Sequence, residues 1–179
     1  MAMTVRFLSA IWVLTALGGG CTPSFEADLT DVEVTQRGVK VAAAPSCTPA
    51  GDISVTTAFT LSSSDGGWAK SVNTEVLVHH VGIALGGSLP SLDFITSARS
   101  TVAADASPGN ATEIMDYVRN ESSPSGTVID VDLPAPVDIT VPWSADKTVI
   151  EIKLVGRLPT LDWTIDVSLG LSGKIAYEY

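Results

Sequence analysis

Residues 161 to 179 constrain the fold more than any other stretch of this chain. Leu161, Trp163, Ile165, Val167, Leu169, Leu171, Ile175, Tyr177 and Tyr179 all fall on odd positions. Asp162, Thr164, Asp166, Ser168, Lys174 and Glu178 fall on even ones. Successive side chains of a strand point to opposite faces, so this alternation gathers the apolar set on a single buried face. A helix would scatter the same set around its circumference. The segment predicts one or two half-buried strands, bent at Gly170 or Gly173.

The same period recurs upstream. Val32 and Val34 alternate with Glu33 and Thr35 within Leu29–Val41, where Gly38 predicts a turn or bulge. Ile53, Val55, Thr57, Phe59 and Leu61 alternate after a Pro/Gly loop, and Thr74–Leu85 is a longer β-rich run closed by Gly86-Gly87. Leu92–Ala104 reads as a further strand. Ile129, Val131 and Leu133 oppose Asp130 and Asp132; Pro134 and Pro136 then suit a linker or a sheet edge. Val137, Ile139, Val141 and Trp143 alternate again, as do Ile150, Ile152 and Leu154 within Val149–Val155. Only Ala111–Arg119 carries a helical pattern, with Ile114, Met115 and Val118 on one face and Asn110 as its cap. About eight short strands and one short helix predict an all-β fold, an antiparallel β-sandwich of immunoglobulin-like or jelly-roll-like topology.

The N-terminal stretch has a different logic. Arg6 precedes an uncharged, mostly apolar run from Phe7 to Leu17, followed by Gly18, Gly19, Gly20 and Cys21. A run of eleven residues matches the core of a signal peptide and falls short of the roughly 20 needed to span a bilayer. Taken together these residues resemble the start of a bacterial lipoprotein precursor. In that family the cysteine is acylated and becomes the first residue after cleavage. Gly18 stands where the family usually has Leu, and Leu17 lies one position further out. The resemblance implies lipidation at Cys21, a signal peptide over residues 1–20 and a lipidated tether over 21–28; the alternating segments then assign residues 29–179 to the β-sandwich domain. It implies an address in the cell envelope, and Thr22 in place of Asp after the cysteine points to the outer membrane. Several acyl chains, each burying methylenes at about 0.8 kcal/mol apiece, hold a protein stably where one chain does so marginally. An ordinary secretory cleavage at Ala16-Leu17-Gly18 is the alternative. It leaves Cys21 as a thiol able to pair with Cys47, the other cysteine.

Charge narrows the partners. The chain carries 10 basic and 20 acidic side chains, and only Arg6 of these lies in residues 1–20, so the remainder has a net charge of −11. Such a chain repels phosphate backbones and anionic headgroups, which argues against nucleic acid and against peripheral membrane binding through basic residues. The lipid itself is the expected membrane contact, with an envelope protein or a glycan as a further partner.

Candidate chemistry is sparse. His79 and His80 are the two histidines, and adjacent strand residues point to opposite faces, which predicts that they do not converge. No nucleophile elbow, zinc-protease helix or phosphate-cradling Gly loop occurs. Asp130/Asp132 and Asp162/Asp166 share parity, and such pairs ordinarily solvate a polar face. A glycosidase would need two carboxylates facing each other across a cleft. The loops Ser62–Gly67 and Asp105–Asn110 hold one acid each, which fits solvated turns better than calcium sites. Trp143 and Trp163 lie on apolar parity and read as core, whereas Trp68 follows Asp65-Gly66-Gly67 in a loop and is the candidate ligand-binding aromatic. These features predict no catalytic residue, no metal and no cofactor. The expectation is a non-catalytic, lipid-anchored envelope protein. A carbohydrate-binding or adhesive module comes next, and an envelope hydrolase third.

Overall fold

The alternation of residues 161 to 179 builds one long central strand. In the computed structural model, which describes residues 3–6, 9–13, 24–45, 52–62, 74–87, 89–105, 107–120, 123, 125–145 and 147–178, that strand runs unbroken from Trp163 to Glu178. In chain order the strands are β1 (Met3–Arg6), β2 (Ser9–Val13), β3 (Ser24–Val41), β4 (Ile53–Ser62), β5 (Thr74–Leu85), β6 (Ile95–Ala104), β7 (Thr112–Val118), β8 (Val128–Asp138), β9 (Lys147–Gly156) and β10 (Trp163–Glu178). A four-residue helix, α1 (Thr140–Trp143), lies between β8 and β9.

Every pairing is antiparallel. One sheet is ordered β3-β10-β5-β8 and the other β4-β9-β6-β7, so eight strands form a β-sandwich with β10 and β9 as inner strands. The short strands β1 and β2 add to the outer edge of β3, Arg6 opposite Glu33 and Val13 opposite Glu26. The core between the sheets takes Val34, Val39, Val81, Ile83, Ile165, Val167 and Leu169 from one side, and Phe59, Ala98, Val102, Ile150, Ile152 and Leu154 from the other. The last three are wholly buried while Glu151 and Lys153 face water, as their period requires. Burying each side chain of this kind contributes about 1.5–3 kcal/mol.

Three local expectations are corrected. Ala111–Arg119 is not helical. Pro108–Asn110 makes a single 3-10 turn, Ala111 is extended, and Thr112 to Val118 forms β7. Ile114 and Met115 mimic a helical face because both are buried; a register shift opposite Ser100/Thr101 makes a bulge that turns two neighbours inward. The run Val137–Trp143 does not stay extended either. Asp138 accepts a hydrogen bond at 2.8 Å from the Thr140 amide through Oδ1, and Val141 is left 79% exposed on α1. At the other end, β3 begins at Ser24, inside the stretch read as a tether, with Phe25 opposite Tyr177.

Candidate functional site

Cys21, the expected lipidation site, together with Cys47 and Trp68, lies outside the described residues. Among the described residues, two regions gather chemistry. One is the solvent face of the β3-β10-β5-β8 sheet; the other is the end of the sandwich where β10 starts.

On the solvent face the histidines come together, contrary to expectation. Gly170 pairs with His80 and Leu171 with Val78, so His79 has no partner across the ladder and β5 bulges there. The bulge turns both rings to the outer face, over Gly170. A Cβ on that glycine would sit 2.8 Å from Cε1 of His79 and 2.8 Å from Cβ of His80. On the neighbouring strand, β8, Asp130 and Asp132 share the same face by parity. His80 lies between them, Nε2 at 2.8 Å from Asp130 Oδ1 and Nδ1 at 2.8 Å from Asp132 Oδ1. A neutral imidazole donates from one nitrogen, so both contacts are hydrogen bonds only when the ring carries two protons. Ser168 of β10 sits beside Gly82 on this face, near Asp130. Serine, histidine and aspartate are thus neighbours, and both His80 nitrogens lie against carboxylates. The Nε2 of His79 is buried without a hydrogen-bond partner among the described residues. Among the described residues no three His, Cys, Asp or Glu side chains are arranged to hold a metal ion.

The second acidic pair has a backbone role. Asp166 Oδ1 accepts from the Gly38 amide at 2.8 Å, and Asp162 Oδ1 from the Ala43 amide at 2.9 Å. Gly38 lies where the β3–β10 register shifts, as its sequence position predicts, and Asp166 satisfies an amide that the shifted ladder leaves unpaired. These carboxylates bind the C-terminal half of β3 to β10.

At the end of the sandwich, Leu85, Leu89, Pro159, Leu161 and Trp163 line a cleft of about 450 Å³. Thr160, Asp162 and Thr164 supply its polar rim. Trp163, expected in the core, is 7% exposed and also forms part of the cleft wall, and its buried indole Nε1 has no hydrogen-bond partner among the described residues. Leu161 shares the parity of β10 but precedes the strand's first residue, and it stands 77% exposed.

Local contacts hold the cleft wall. Phe94 meets Trp163 edge-on, centroids 5.2 Å apart and planes at 83°. The Phe94 carbonyl accepts from the Arg157 amide at 2.9 Å and approaches Gly156 so closely that a Cβ there would collide with it. Gly156 also has φ +153°, a conformation side chains disfavour. Arg119 donates to the carbonyls of Ile95 (3.0 Å) and Leu92 (3.3 Å) and pairs with Asp93 at 3.2 Å. Asp93 also accepts from Ser125 and from the Gly126 amide, and these hydrogen bonds, Ser125 first, hold its carboxyl below the usual aspartate range. The loop that carries Leu89 and Phe94 is thereby fixed to the start of β8. Sequence reasoning missed the cleft because its wall joins Leu85, Gly87 and Leu89 to residues 159–164, and the only local hint was two leucines beside prolines, Leu89-Pro90 and Leu158-Pro159.

The cleft and the start of β3 lie at opposite ends of the sheet. Trp163 pairs with Val41, whereas Glu178 pairs with Ser24. Strands rise about 3.3 Å per residue, so the 18 residues of β3 separate the two ends by on the order of 50 Å. No helix among the described residues is long and apolar enough to cross a membrane. Comparison with known protein families and with curated proteins finds no match to this chain.

Proposed function

We propose that this chain is a non-catalytic bacterial envelope protein, anchored by lipid on Cys21 and acting by binding at the far end of its sandwich. The observation that carries this reading is the placement of the two ends. Cys21 lies three residues before Ser24, where β3 begins, and the cleft lies at the Val41–Trp163 end. A lipid at Cys21 holds the first end at the bilayer, in the outer membrane by the resemblance of residues 7–22, and turns the cleft away from it. The clamped ring of His80 supports a non-catalytic role, since both nitrogens face carboxylates. The acidic balance favours attachment by lipid over attachment by basic residues and does not suit nucleic acid.

The test is the intact mass of the protein recovered from a membrane fraction. Residues 21–179 plus a diacylglycerol and a further acyl chain is the expected mass. An unmodified chain in the soluble fraction, lighter by two hydrogens for a Cys21–Cys47 disulfide, overturns the anchor.

A further inference from the structure

We infer that the outer edge of β3, between Glu26 and Gln36, is a strand-docking site whose occupant is an extended, basic, acid-free segment of a partner protein. The edge opens only on removal of the leader proposed above, whichever of the two cleavages removes it, and needs no lipid. What the edge accepts is visible in the full chain. Met3 pairs with Gln36 and Val13 with Glu26, a span of ten positions on each strand, so β1 and β2 keep one antiparallel register. They lie along β3 as a single guest strand. That register survives an irregularity in β3. On its β10 side Leu171 pairs with Val32 and Gly173 with Leu29, so β3 carries one extra residue, and Asp31 there has φ +55°. When the leader leaves, alternate residues along this edge lose their backbone partners, and an added strand restores them.

Charge selects the guest. Asp28, Asp31 and Glu33 are exposed along the edge. The basic residues nearby do not balance them. Lys174 stands opposite Asp28 on β10 but has Glu75 on its other side, and Gly170 stands opposite Glu33. Arg37 and Lys40 follow Gln36, past the paired stretch. Thr35 donates to Glu33 at 3.1 Å and leaves its charge in place. The leader answers this pattern, since residues 3–13 contain no acid and set Arg6 opposite Glu33. A second copy of this chain would bring a second row of carboxylates and be repelled, whereas a basic strand meets open backbone and unbalanced charge together.

The experiment uses the protein recovered from cells, its mass already measured, in phosphatidylcholine nanodiscs or in plain buffer if it carries no lipid. The probe is a fluorescein-labelled peptide of residues 3–13 with Ile11→Lys, which sets cations opposite Glu33 and Asp28. Its anisotropy should saturate with Kd on the order of 10 μM, and empty nanodiscs should leave it unchanged. Thr4→Pro/Val5→Pro in the peptide removes two adjacent amides, one of which must face β3, and should weaken binding about tenfold or more at unchanged charge. Glu33→Lys in the protein should weaken binding about fivefold, and Arg6→Glu in the peptide should restore it to that variant. Equal binding of the proline peptide overturns strand docking in favour of adsorption by charge. No saturable binding up to about 1 mM, by a protein whose mass shows cleavage, overturns the site alone. A mass that retains residues 1–20 overturns the site together with the cleaved leader.

Discussion

Nδ1 of His80 lies 2.8 Å from Oδ1 of Asp132, across the β5–β8 pair. Asp130, two residues earlier on β8, holds the other ring nitrogen. The two carboxylates share a face and repel one another, and the ring stands between them in contact with both. His80→Gln should therefore destabilise the domain more than Asp132→Asn does, because the first change leaves two unpaired carboxylates and the second leaves one satisfied pair. Asp132 is 93% exposed, so the coupling energy in a double-mutant cycle should be about 0.2–1 kcal/mol. Urea unfolding of the four chains checks it; a coupling of zero would show that the clamp adds nothing.

Gly170 lies beneath both histidine rings. A glycine inside a strand ordinarily costs about 0.5–1 kcal/mol relative to alanine, so Gly170→Ala would be expected to stabilise an unencumbered ladder. Here the added methyl would stand 2.8 Å from Cβ of His80, an atom fixed to the backbone that has no rotamer to escape by. Overpacking of this kind costs about 1–3 kcal/mol and decides the sign. Gly170→Ala should lower the urea midpoint, and His79→Ala/His80→Ala should recover only part of the loss. A more stable Gly170→Ala chain would mean that the bulge relaxes without cost.

The regular strands were legible in the sequence and the bulges were not. Alternation in β9 and β10 identifies the buried face residue by residue, from Ile150 to Leu154 and from Trp163 to Leu171. Ile114-Met115 and His79-His80 break the period, and each break depends on the partner strand: Ser100/Thr101 opposite the first, Gly170/Leu171 opposite the second. Parity alone therefore read a helix where β7 runs and separated two histidines that share a face. Pro134 and Pro136 did announce an edge, since β8 ends its sheet and the register jumps from Asp132 to Val137 across them. The cleft was illegible for a different reason. Its two segments lie seventy or more positions apart, and no local pattern in either encodes their meeting.

Acid should weaken the domain through two aspartates in particular. Asp93 is held below its usual range first by Ser125, and Asp138 first by the hydroxyl and then by the amide of Thr140. A folded-state value below the unfolded one contributes stability that is fully present above the unfolded value near 3.8. That contribution is lost as pH falls through the folded value. Stability should thus be flat in this respect above about pH 5 and fall below about pH 4. Asp93→Asn and Asp138→Asn should each reduce the slope of urea midpoint against pH in that window. An unchanged slope in both variants would assign acid sensitivity to other carboxylates.

The last prediction concerns the edge of β3. In the full chain that edge bonds to β1 and β2, between Glu26 and Gln36, while the opposite edge bonds to β10. If residues 1–20 are a cleaved leader, a chain of residues 21–179 should unfold cooperatively, with the amides of its core strands as protected as before. Hydrogen exchange should then separate the two edges of β3. Amides that donate to β10 stay slow, and the alternate ones that donated to β1 and β2 become fast. A newly open edge invites a second copy to add to it, but Glu26, Asp28, Asp31 and Glu33 place four carboxylates along this stretch. The shortened chain should therefore stay monomeric at low ionic strength and begin to associate as salt screens these charges. Loss of cooperative unfolding on removing residues 1–20 would instead make β1 and β2 integral to the domain, and the reading of that stretch as a cleaved leader would fail.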